Sequence, residues 1–277
     1  MRHTSVQVTN FLHILRSGAF DESKPIAMMS PFKWDKLVQL AILHHLIPVF
    51  ANGLQHYQHD NSMNMPEEQI ETIRQRLKEI SPKGFSDLYV FSNIQLRSKR
   101  LNERLQKIIH DEYASDEKSY ETMQIMAIII VNIENILSGK SYLKGIVDLG
   151  RYLRQKGQNV DFVKLDQWLS FTCMTSMANL QGNLLIQGFG FNKNEIPFVH
   201  HEDKHSQSVL IRAIRHDDLS TLRVWDFHTS KSGFIVSSPK SAIKSIRHCL
   251  SYRRYAPRET MATLTNGLVN GLAEIEE

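Results

Sequence analysis

Only two cysteines, Cys173 and Cys249, occur in 277 residues. They are too few and too far apart for a disulfide framework or a cysteine-based zinc site, and a reducing compartment is expected. Glycine and proline are also sparse, 13 and 8 in all, and they fall mainly between periodic segments, where they act as punctuation. Long apolar runs are missing. The most apolar stretch, Met123 to Val131, ends at Asn132 and Glu134, well short of the roughly 20 residues that span a bilayer. Near the N-terminus Gln7, Thr9, Asn10 and His13 interrupt any signal-peptide core. These absences argue against a secreted or membrane-spanning protein and give a cytoplasmic expectation.

What remains is an ordinary globular composition, 42% hydrophobic and 22% charged, able to fold without staples. Its periodicity is helical: the reading is an all-α, multi-helix bundle. A first helix is predicted over Ser5–Ser17, with Gly18 as its left-handed cap, and a second from Ser30-Pro31, lined by Phe32, Trp34, Leu37 and Val38. Acids at Glu67 and Glu68 open a third, with Ile70, Ile73, Leu77 and Ile80 as its stripe. One long helix is expected from Ser86 to Tyr113 with Leu88 inward, then helices at 116–138, 142–156, 161–173 and 175–188. The polar stretch 200–206 marks a soft boundary between a helical domain, 1–200, and a basic C-terminal segment, 201–277, packed on or linked to it. That segment could include a short hairpin of Leu222–Phe227 with Phe234–Val236, followed by helices from Pro239 and Arg258.

Few motifs suggest chemistry. His201-Glu202-Asp203-Lys204-His205 fits H-E-x-x-H, in which a helix presents two imidazoles to zinc and the glutamate serves as base. His216, Asp217 and His228 are possible third ligands. The charged Asp203 and Lys204 inside the motif suit a solvated loop better than a dry metal site. Ser138-Gly139-Lys140-Ser141 echoes a P-loop, but position 134 is Glu where the motif requires Gly, so a helix C-cap is the better reading. Of His44-His45, at least one ring is expected in the core, and Cys173 reads as a small buried hydrophobe. No cofactor is implied.

Charge is distributed unevenly. The net charge is +4, and residues 207–258 carry ten Lys/Arg against three Asp. Lys240, Lys244, Arg247, Arg253, Arg254 and Arg258, interleaved with Tyr252 and Tyr255, could contact phosphates and stack on bases, or meet an anionic surface.

The blocks FLHILRSGAF and SPFKWDKLVQLAILHHLIPVFANGL, and the later run from YLKGIVDLGRYLRQKGQNVDFVKLDQWLSF to NKNEIPFV, resemble the helical regions of a nucleotidyltransferase-like family common in Bacteroidota. The resemblance covers roughly residues 8–199. In that family catalysis rests on a Gly-Ser pair and an Asp-x-Asp or Asp-x-Glu carboxylate pair; this chain has neither, so no catalytic residue carries over. The resemblance implies a helical scaffold without the transferase module, hence a non-catalytic accessory protein with a protein partner, in a setting such as surface-polysaccharide synthesis.

Overall fold

The computed structural model describes residues 5–60, 63–81, 84–214, 227–229, 235–237 and 239–273. It is mainly α-helical. Helix α1, Val6–Phe20, starts at Ser5, whose hydroxyl accepts from the Val8 amide. It runs past the expected cap at Gly18 and stops at Asp21, which takes the left-handed conformation. Gly18 serves a different purpose: it lies against α3, Ile47–Gln55, where an added Cβ would sit 1.9 Å from the Val49 carbonyl oxygen. Gly53 answers from α3, with its own Cβ position 2.0 Å from the Ile14 carbonyl. The two backbones therefore touch where neither residue has a side chain.

Between them α2, Pro31–Leu43, begins with the expected proline and buries Trp34, Leu37, Val38 and Ala41. Phe32 is instead exposed and lies under the Lys36 ammonium. Helix α4, Glu67–Glu79, buries Ile73, while Leu77 and the following Ile80 stay exposed, so only part of its stripe meets the core.

The long helix expected over 86–113 is broken. A four-residue turn, α5 (Phe85–Leu88), leads into extended chain and a short 3-10 turn, and helix α6 spans Lys99–Ala114. Leu88 is exposed. Distant partners cause the break. Glu259 accepts the amides of Arg97 and Ser98, and the Tyr89 hydroxyl donates to Asp148 at 2.7 Å. These hold residues 89–98 open against their helical spacing.

Helix α7, Tyr120–Leu137, is the central pillar, with every residue from Ile125 to Ile130 buried; each isoleucine removed from water contributes on the order of 2 kcal/mol. Around it pack α8 (Leu143–Lys156), α9 (Phe162–Phe171) and α10 (Thr175–Phe189), close to their expected bounds. Gly139 and Gly190 end α7 and α10 in left-handed conformations. Gly157 caps α8 without one. Helix α11, Ser206–Ile214, lies on α10. Strands β1, Phe227–Thr229, and β2, Ile235–Ser237, pair antiparallel with His228 opposite Val236. They overlap the expected hairpin only in part; 222–226 and Phe234 lie outside the described residues. Helices α12 (Pro239–Leu250) and α13 (Pro257–Ala273) are the last of the described elements. One hydrophobic cluster reaches from Val8 to Ala256, so the turn between α12 and α13 shares the core of α1 and α7.

Candidate binding cleft

The residues of the H-E-x-x-H match form bends and turns, and the helix begins only at Ser206. The i, i+4 presentation that the motif requires is therefore not made. This loop is instead pinned through its main chain. Asn179 of α10 accepts the amides of His200 and His201, while Asn183 accepts from Asp203 and donates to the His201 carbonyl. Asp203 in turn receives the Tyr255 hydroxyl and lies near the Arg254 guanidinium. Burial, with Asp203 beside it, pushes the Tyr255 phenol up to about 12. Among the described residues no group of three metal-type side chains converges. His216 and Asp217 lie outside those residues, and His228 falls on β1.

The other sequence candidates also resolve into structural roles. His44 is buried against the Ser141 hydroxyl at 2.8 Å, and His45 is exposed in a left-handed residue that closes α2. Cys173 is exposed, contrary to expectation: it is the left-handed residue between α9 and α10, 3.6 Å from Arg104. In the basic region Tyr252 and Tyr255 are buried, so their rings are not offered for stacking. Arg247, Arg253, Arg254 and Arg258 are exposed and Lys244 is half-buried; the Lys240 side chain lies outside the described residues.

Sequence reasoning missed a cleft. On α1, Thr9, His13 and Arg16 stand at i, i+4 and i+7, one above another on a single helix face. The ends of α10 and α11 close over this face through Gln187 and Gln207, and Lys24 reaches in from the loop after α1. The half-open space is ≈ 240 Å³. Its wall holds Arg16, Lys24 and His13 and no carboxylate. Desolvation lowers the His13 pKa, the hydrogen bond with the Pro25 carbonyl at 2.8 Å opposes this, and the charges of Lys24 and Arg16 lower it further.

Arg16 is fixed by two of its nitrogens. Nε and Nη2 donate to Glu22 Oε2, the first at 2.8 Å. The third, Nη1, lies over Gly190, where an added Cβ would approach it to 2.0 Å. Gly190 is thus required twice, for its φ of 73° and for the room it leaves. Behind Glu22, Arg154 donates to its other oxygen at 2.7 Å and to Glu195 at 3.2 Å, and stacks on Phe191 at 4.2 Å. Arg154 and Glu195 line a second cleft of ≈ 390 Å³. The signal in the sequence was the polar series 9, 13, 16 inside an apolar helix, visible there only as interruptions. No protein-family model, curated protein or solved structure matches this chain.

Proposed function

We propose that this chain is a non-catalytic helical binding protein whose partner is another protein, contacted through α12 by an acidic amphipathic helix. One observation carries this reading: Ile243, Arg247 and Leu250 fall at i, i+4 and i+7 on α12, and all three are exposed, the isoleucine by 58%. An apolar stripe with a cation at its centre, on a helix already anchored by His248 to the Ile136 carbonyl, has the character of a partner surface. Charge complementarity selects the partner. Residues 239–258 contain six Lys/Arg and no acid, and the next residue, Glu259, is turned inward onto α6. The buried carboxylates support a non-catalytic reading, since Glu112, Asp148 and Glu259 each hold elements together through Lys164, Tyr89 and the α6 amides. Kinship with nucleotidyltransferase-like scaffolds, and with it a setting in surface-polysaccharide synthesis, belongs to the same proposal.

The test is affinity capture from the native cell, with nuclease-treated and high-salt arms, comparing wild type with an Ile243→Asp/Leu250→Asp variant. A protein retained by wild type after nuclease treatment and lost from the variant is the expected result. Recovery that disappears with nuclease and with Lys244, Arg247 and Arg253 changed to Ala, while tolerating the aspartates, overturns it in favour of nucleic-acid binding.

A further inference from the structure

The cleft between α1, α10 and α11 gathers three basic side chains with no acid in its wall. Arg16, Lys24 and His13 face one space of ≈ 240 Å³, and Glu22, which pairs with Arg16, is not part of its wall and binds Arg154 as well. From α10 and α11 the wall receives only uncharged groups, the amides of Gln187 and Gln207 among apolar side chains. The volume is below the roughly 300–1,000 Å³ of drug-sized sites.

We propose that this cleft binds a small oxyanion, a carboxylate or a phosphate ester, between Arg16 Nη1, Lys24 and His13, with Thr9, Gln187 and Gln207 as neutral hydrogen-bond partners. The chemistry follows from the donors. Arg16 is held by Glu22 so that its remaining nitrogen is fixed over Gly190, and a pre-positioned guanidinium loses little freedom when an anion arrives. Lys24 supplies a mobile charge from the loop. His13 gives the site pH dependence: its neighbours Lys24 and Arg16 repel a proton, and a bound anion offsets that repulsion. Protonation and anion binding therefore favour each other, and affinity rises as pH falls through the His13 titration. This site is separate from the α12 face, so either can fail alone.

The experiment is a titration of the full chain followed by NMR, with inorganic phosphate and succinate as probes and chloride at matched ionic strength as the control. Saturable shifts confined to Thr9, His13, Gln187 and Gln207, with the His13 ring moving toward its protonated form, are expected. Lys24→Gln, at an exposed position, should weaken binding about fivefold, and His13→Gln should flatten the pH dependence while binding persists. Saturation by phosphate alone assigns a phosphate ester, and by succinate alone a carboxylate. Shifts that fail to saturate, match those of chloride, or are unchanged in Lys24→Gln overturn the proposal.

Discussion

Single atoms decide much of this molecule. The contact between α1 and α3 is made by two absent side chains, so Gly53→Ala would drive a methyl group into the Ile14 carbonyl. It should cost about 1–3 kcal/mol, read as a lowered urea midpoint with an unchanged slope. A cost near zero would show that the helices part without penalty. Glu22 offers a second residue-scale outcome. Burial would raise its pKa, but hydrogen bonds from Arg16 and Arg154, and their charges, outweigh that and hold it below its ordinary 4.5. A carboxyl depressed by folding stabilises the fold at pH above its unfolded value, and the contribution is lost as pH falls through the folded one. Wild type should therefore lose stability below about pH 4.5 more steeply than Glu22→Gln, as followed by denaturation at stepped pH.

At the scale of elements, neighbours in space override local preference. Helices α7 to α10 lie close to where the spacing predicts them, because apolar period and flanking stop residues agree. The segment 89–98 does not, since its apolar spacing continues into α6 without interruption and nothing local tells the chain to open. The causes are Asp148, which takes the Tyr89 hydroxyl, and Glu259, more than 160 positions beyond the amides it accepts. Cys173 and Phe32 escaped for a related reason: composition marks them as core residues, and only the turn between α9 and α10, or the first turn of α2, shows them facing out. Removing the distant anchor should test this. Glu259→Ala leaves the Arg97 and Ser98 amides without their acceptor and should cost about 1–3 kcal/mol, with faster hydrogen exchange at the start of α6. Burial raises the Glu259 pKa, and the bonds from Ser98 and Arg97 only partly counter this. Its protonation is thus favoured by folding, the reverse of Glu22.

For the whole molecule, the sequence was a good guide to class and a poor one to surface. An all-α chain with a C-terminal basic region follows from composition and period. Which cations are already engaged does not, because Arg254 is drawn to Asp203 and Arg104 to the end of α9 by contacts the sequence places far apart. The cleft was illegible for the same reason, since its basic wall joins a helix face, a loop and two later helices. The loop after α10 changed meaning most: two asparagines make it the suspension of α11, where its histidines had suggested zinc.

Glu22 has one consequence beyond stability. Its carboxylate is shared, with one oxygen on Arg16 at the first cleft and the other on Arg154 at the second. Replacing Glu22 with Gln would therefore remove the charged partner of a side chain in each cleft wall at once. The two clefts are joined through a single side chain, so a change at Glu22 reaches both walls.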